Sequence, residues 1–271
     1  STEARSGTFL SIGRDHPPAI RLERALHDLF GHAPLAIPDR RPWLDHGQWG
    51  MRAPLNGAPA VGRRDPAGYD FLPAKGEGLH QVPVGPVHAG IIESGHFRFT
   101  ANGETVVRLE ERLGYVHKGV ESLMTGLPIE QAARVAARIS GDSTVAYSYA
   151  FARAIEAALG VDPPVRAKVL RGLMAELERI ANHIGDIGAI CNDASFALIH
   201  AQCGIMRERV LQASDRAFGH RLMMDRIVPG GVEDTGPGAA RGIAMMLDEI
   251  EKPFAEVVRV YDGTPSLQDR T

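Results

Sequence analysis

The sequence predicts an α+β protein that is mainly α, a helical bundle carrying a small antiparallel β-sheet. Three observations predict it. From Pro163-Pro164 to about Asn192, Val169, Leu173, Leu177, Ile180, Ile184 and Ile187 recur at gaps of four and three, the apolar stripe of an amphipathic helix. Residues 130–160 hold ten alanines, the composition of helices whose backbones approach closely. Around residues 97–109 the period drops to two, and Asn102-Gly103 supplies the positive-φ positions of a tight hairpin turn.

The elements follow in order. Ile20, Leu22, Leu26 and Leu29 give helical spacing across Pro18 to Phe30, closed by Gly31. Residues 31–81 carry 7 Pro and 8 Gly without a sustained hydrophobic period, so residues 41–81 are expected as an irregular linker. The sheet begins near Val82, and beyond Gly114 the chain reads as helical almost to its end. Pro128 suits a first helical turn, and Ser140-Gly141-Asp142-Ser143 interrupts the alanine-rich helices. Within the long helix, Gly172, Gly185 and Gly188 each cost roughly 1 kcal/mol relative to Ala, which predicts a packing reason for keeping them. A further helix is expected between Ser195 and His220. A last one carries Ile243, Met246, Ile250, Phe254, Val257 and Tyr261 at the same four-three spacing.

Composition excludes several functions. In 271 residues, 30 Lys+Arg stand against 33 Asp+Glu, a net charge of -3 that provides no footprint for nucleic acid. No run approaches the about 18 apolar residues of a membrane span, and Ser1 to Gly13 lacks the order of a signal peptide, so a cytoplasmic location is expected. The two cysteines, Cys191 and Cys203, form no CxxC pair, which leaves no four-thiolate site within the chain. There is no Walker loop and no GxSxG elbow, and no two of the 11 His stand three or four residues apart to hold a metal from one helical face. Gly236-Pro-Gly238 through Gly242 reads as a loop and helix start rather than a dinucleotide fingerprint, because no strand precedes it.

Five segments read together are specific: Gly85-Pro-Val-His88 with Gly95-His-Phe-Arg-Phe99, Arg112 through Glu121, Arg138-Ile-Ser-Gly-Asp-Ser143, Glu176 through His183, and Pro229-Gly-Gly-Val232. In that order they resemble the large subunit of energy-converting nickel-iron hydrogenases of the formate hydrogenlyase and hydrogenase-4 type, and its homologue, the 49 kDa subunit of respiratory complex I. The resemblance covers residues 82–271. Residues 1–40 resemble the tail of the 30 kDa complex I subunit, and a further segment with a second cysteine pair is expected beyond Thr271.

The departures carry as much information. The family's Arg-x-Cys-Gly-x-Cys nickel motif has Ser140 and Ser143 at the thiolate positions, and a hydroxyl is a hard, weakly acidic ligand where soft thiolates are required. No nickel-iron centre is therefore expected. Cys191 and Cys203 match neither ligand position and read as buried structural thiols. The quinone-reducing branch resembles Gly-Pro-x-His-Pro-x-x-His and Arg-x-Asp-Tyr. This chain keeps His88 but has Ile92 and Gly141 where the second His and the Tyr belong.

The resemblance implies roles for individual residues. Glu121 occupies the place of a proton-relay glutamate, with a raised pKa expected from closely packed neighbours. Arg138 points into the active cavity, or forms an interhelical ion pair with Glu121 or Asp142. His88 and Glu93 lie on the sheet lip. His183, Glu176, Arg179 and Asp186 form a polar strip that reads as solvated or intersubunit surface. The expected protein is a large-subunit-like component of a membrane-associated oxidoreductase complex, with no cofactor of its own. Iron-sulfur clusters are expected in a small-subunit partner, and membrane-arm subunits hold the complex at the cytoplasmic face of the inner membrane. The alternatives are a non-catalytic assembly subunit and a quinone-reducing NADH dehydrogenase subunit.

Overall fold

The computed structural model describes residues 7–47, 49–56, 60–61, 70–87, 93–233 and 239–271. The chain divides into two units, Ser1–Ser122 and Leu123–Thr271.

The first unit opens with a parallel pair of short strands, β1 (Thr8–Leu10) and β2 (Ala33–Leu35), joined through helix α1 (Ala19–Phe30). Gly31 ends α1 in the left-handed conformation at φ 75°, as its place after the periodic run predicts. Helix α1 buries charged residues, Glu23, Arg24 and Asp28, because the chain that packs on it is short of regular partners. The Asp28 carboxylate accepts the backbone N–H groups of Trp43, Leu44 and Asp45. The Arg24 guanidinium donates to the carbonyls of Arg41 and Pro42 and to Asp39. Buried backbone groups outside a ladder must find partners, and here α1 provides them. The stretch 41–81 is thus less irregular than its Pro and Gly content predicts. It contains the antiparallel pair β3 (Met51–Arg52) and β4 (Ala60–Val61) and the start of β5 (Leu79–Val84).

Strands β5, β6 (His96–Asn102) and β7 (Thr105–Arg112) form the expected antiparallel sheet, in that order, with Gly103 at φ 59° in the β6–β7 turn. Its polarity is inverted. On one face Pro83, Arg98 and Glu110 align, as do Gln81, Thr100 and Arg108. Thr100 and Glu110 on that face are buried. Arg108 and Arg41 both pair with Glu110, at 3.1 and 3.2 Å, and the Leu72 N–H donates to the same carboxylate. The other face carries Val82, Phe99 and Leu109 in register, and Val82 and Leu109 are exposed. The short helix α2 (Val120–Met124) follows.

The second unit is helical: α3 (Ile129–Ala136), α4 (Thr144–Leu159), α5 (Val165–Asp193), α6 (Ala197–Phe218), the hairpin β8 (Ile227–Val228) and β9 (Gly231–Val232), α7 (Ala239–Asp262) and α8 (Pro265–Gln268). Helices α5, α6 and α7 pack side by side, and their contact surfaces form the core. The buried positions of α5 are Ala167, Arg171, Met174, Leu177, Ala181, Ile184, Gly188 and Cys191. The expected stripe is therefore rotated. Only Leu177 and Ile184 of it are fully buried, and Val169 is 65% exposed. Close helix contact selects small residues, which a search for large apolar ones overlooks. A Cβ on Gly188 would lie 2.8 Å from Cys203 Cβ on α6, and one on Gly185 would lie 3.1 Å from Arg207 Cδ. These two glycines have the predicted packing reason. Gly172 has none, since nothing lies within 4 Å of its missing Cβ.

The α7 stripe is as expected, with Ile243, Met246, Ile250 and Val257 buried. Pro253 lies inside α7 and has no N–H to give the Glu249 carbonyl. Arg209 of α6 donates to that carbonyl at 3.3 Å. Among the described residues no helix is long and apolar enough to cross a membrane.

Candidate functional site

The region of the two substituted serines is the junction of α3 and α4. Thr144 Oγ1 donates to the Ala137 carbonyl at 2.6 Å, which folds the junction back on itself. Ser140 Oγ donates to the Asp142 carboxylate. Ser143 holds the N-cap position of α4, yet its hydroxyl makes no capping bond. The cap is long-range instead. The Glu178 carboxylate on α5 accepts the N–H groups of Val145 and Ala146 at 2.7 and 2.9 Å. One helical turn further, Asn182 Nδ2 donates to the Asp142 carbonyl at 2.7 Å. Burial pushes the Glu178 carboxyl up, the two backbone donors oppose the shift, and the Asp142 charge adds to it.

Arg138, at the end of α3, forms a two-pronged pair with Asp225, both bonds at 2.7 Å, and donates to the Arg134 carbonyl at 2.8 Å. The bonds from Asp225 hold the guanidinium pKa up and, reciprocally, hold the Asp225 carboxyl down. The expected ion pair exists, but its carboxylate is neither Glu121 nor Asp142. Asp225 sits at φ 62° and Met223 at φ 54°, two left-handed positions in the loop between α6 and β8. His220 Nδ1 accepts the N–H groups of Leu222 and Met224 and fixes that loop from within.

Glu121 lies in the first turn of α2, as its sequence context predicts, but it is exposed rather than enclosed among close-packed helices. It lines a cavity of about 310 Å3 in the first unit, together with Trp49, Met51, Leu55, His117 and Lys118. The Trp49 and His117 rings stack there, with centroids 4.9 Å apart and planes at 22°. Glu93 is exposed and pairs with Lys118 at 3.4 Å. His88 and Ile92 lie outside the described residues. The strip of Glu176, Arg179, His183 and Asp186 is exposed on this chain, with Glu176 and Arg179 paired at 2.6 Å, as a solvated or an intersubunit face would be. The residues of that segment that reach the α3–α4 junction are its neighbours Glu178 and Asn182, which no local sequence signal distinguishes.

A second buried cluster is equally silent in the sequence. Arg171, 1% exposed, forms two bonds to Glu156 at 3.0 and 2.6 Å and donates to the carbonyls of Val228 and Gly231. The Gly230 N–H returns a bond of 2.7 Å to Glu156. The Pro229-Gly-Gly-Val232 segment is therefore a hairpin clamped to α4 and α5 by one ion pair.

The donors among the described residues are not those of a nickel-iron centre. In this chain the thiolate positions hold hydroxyls, and Ser140 is already committed to Asp142. Cys191 and Cys203 are buried, and burial followed by the neighbouring Cys191 pushes the Cys203 thiol up to about 11. Protonated thiols are poor metal ligands. Among the described residues no three His, Cys, Asp or Glu side chains converge on one point.

In sequence order, a three-stranded antiparallel sheet is followed by a helical unit whose α3–α4 junction carries Ser140 and Ser143. The chain is a homologue of the large subunits of energy-converting hydrogenases and of the corresponding component of NADH-quinone oxidoreductase. It is 28% identical over 281 residues to hydrogenase-4 component G of Escherichia coli strain K12, covering 99% of this chain and 50% of that protein. It is 27% identical over 279 residues to formate hydrogenlyase subunit 5 of the same organism, covering 99% of this chain and 49% of that protein. Against a subunit of the NADH-quinone oxidoreductase of Roseiflexus sp. strain RS-1 the identity is 31% over 195 residues, covering 70% of this chain and 52% of that protein. The chain thus spans about half the length of the curated relatives it matches. In fold it is similar to a chain of the membrane-bound sulfane sulfur reductase, an archaeal respiratory membrane complex, with a TM-score of 0.65 at 20% identity over 72% of this chain and 52% of that one. No family model matches the chain.

Proposed function

We propose that the protein is the large-subunit-like component of a membrane-associated oxidoreductase complex that works without a nickel-iron centre. One observation carries this reading: at the α3–α4 junction the places of the family's nickel thiolates hold Ser140 and Ser143, and the Ser140 hydroxyl is turned to Asp142. The relatives named as subunits of hydrogenase, formate hydrogenlyase and NADH-quinone oxidoreductase support a role within a larger assembly. The partners are an iron-sulfur small subunit and membrane-arm subunits, which hold the chain at the cytoplasmic face. Arg138 and Glu121 are the residues assigned to coupling, Arg138 through its half-exposed pair with Asp225 and Glu121 through its position on an open cavity.

A second reading, an assembly subunit without catalysis, is favoured by the same Arg138–Asp225 pair, since a guanidinium held by two bonds is less available to a ligand. Affinity purification from detergent-solubilised membranes tests the first reading. It predicts co-purification of a polypeptide with the absorption and paramagnetic signals of iron-sulfur clusters, together with transmembrane subunits. Recovery of the chain alone from the soluble fraction overturns it.

A further inference from the structure

In the loop between α6 and β8, three consecutive backbone N–H groups turn to one residue. Those of Leu222 and Met224 donate to His220 Nδ1 at 3.1 and 3.2 Å, and that of Met223 donates to the His220 carbonyl at 2.9 Å. A backbone amide can only donate, so Nδ1 presents a lone pair and the ring proton sits on Nε2. The loop needs this anchorage. Met223 and Asp225 both stand in the left-handed region, a costly place for residues other than glycine unless surrounding bonds hold them. Asp225, the residue so placed, is the partner of Arg138 on α3.

A proton on Nδ1 turns an acceptor of two bonds into a donor that faces two donors. We propose that His220 is a proton-sensitive latch: neutral, it positions Asp225 against Arg138, and protonated, it loosens the 222–225 loop and frees the Arg138 guanidinium. Charges face this segment from several elements. The Asp225 carboxylate attracts an imidazolium, while Arg138 and Arg134 of α3 offset that carboxylate. Arg226 donates to the Gly219 carbonyl at 3.5 Å, and the Glu233 N–H, just past β9, donates to the Arg226 carbonyl. Arg221 pairs with Glu208 of α6, and the Asp215 charge also acts on it. Asp142, Glu178 and Arg207 line the cleft beside Leu222 and Met223. The carboxylates and guanidiniums thus largely offset one another, and the two N–H donors oppose the imidazolium directly. The latch belongs to the loop itself and stands apart from the proposed nickel-free role.

Hydrogen exchange of the full chain, followed by NMR and normalised to intrinsic rates, tests this between about pH 7.5 and about pH 5, the interval in which histidines change charge. As pH falls, the Leu222 and Met224 amides of the parent protein are expected to lose protection about 10-fold or more, and the Arg138 guanidinium protons to exchange faster. His220→Asn is the control. Its Oδ1 takes the place of Nδ1 as acceptor and does not titrate, so protection in that variant is expected to stay at its pH 7.5 level. Unchanged protection in the parent at pH 5 overturns the latch, and so does an equal loss in parent and variant. Loss at the two amides with Arg138 exchange unchanged overturns the link to Asp225. The parent profile decides even if the variant does not fold.

Discussion

The Arg171 guanidinium and the Glu156 carboxylate meet in a buried, two-pronged pair that also binds the backbone of the Pro229–Val232 hairpin. Removing one partner strands the other charge in a place closed to water. Arg171→Ala is therefore expected to destabilise by about 3–5 kcal/mol. Arg171→Met paired with Glu156→Leu recovers much of that loss, and chemical denaturation of the two variants beside the parent protein measures both effects.

The same pair sets a pH dependence. The Arg171 hydrogen bonds hold the Glu156 carboxyl below the usual carboxylate range, against the opposing effect of burial. The folded state thus binds that proton less tightly than the unfolded chain. The stabilisation is complete above the ordinary carboxylate range and is lost as pH falls through the lowered value. Glu178 has the opposite sign, since its carboxyl is raised and stability declines as pH rises through the raised value. Denaturation midpoints followed from about pH 7 to about pH 3 are expected to lose their Glu178 component in Glu178→Gln and their Glu156 component in Glu156→Gln. Glu178→Ala, which uncaps α4, is expected to cost about 0.5–2 kcal/mol at neutral pH.

Two glycines on one helix are expected to respond in opposite directions. Gly188→Ala drives a methyl against Cys203 and is expected to destabilise by about 1–3 kcal/mol. Gly172→Ala meets nothing and is expected to stabilise by up to about 1 kcal/mol through helix propensity. Thermal unfolding of the two variants checks the contrast.

This contrast shows what is legible in the sequence. Two local signals match the structure, since Gly31 ends α1 and the α7 stripe is buried, whereas the hairpin turn falls one residue later than expected, at Gly103-Glu104, with Asn102 paired to Thr105 in the ladder and only Gly103 at positive φ. The phase of α5 differs from its large-residue pattern because its contact surface is built from Ala181, Gly188 and Cys191, whose hydrophobic signal is weak. Asp225 and Glu178 escape for a different reason. Each acts across the fold, 87 residues from Arg138 and 33 from Val145, and no periodicity encodes such a meeting. The substitution at Ser140 and Ser143 is visible at once, because it is a change of chemistry at a fixed place in an ordered motif.

Arg138 and Glu121 are expected to affect coupling more than folding. The Arg138–Asp225 pair is half-exposed and contributes about 0–1 kcal/mol, so Arg138→Ala leaves the chain folded. In the purified complex the same variant is expected to abolish redox-dependent change, with Arg138→Lys failing to restore it because the two-pronged geometry is lost. Glu121→Gln is expected to lower turnover of the complex about 100-fold or more. Unchanged turnover in Glu121→Gln removes the relay role from that residue.

Ser140 and Ser143 place hydroxyls where the motif this chain resembles has nickel thiolates, and the complex proposed for it works without nickel. Elemental analysis of the complex purified from its native membranes tests it most directly. The predicted result is iron from the partner's clusters and no nickel. Nickel in one-to-one proportion with this chain would mean that the metal is held in spite of the two serines, and overturns the proposed nickel-free role.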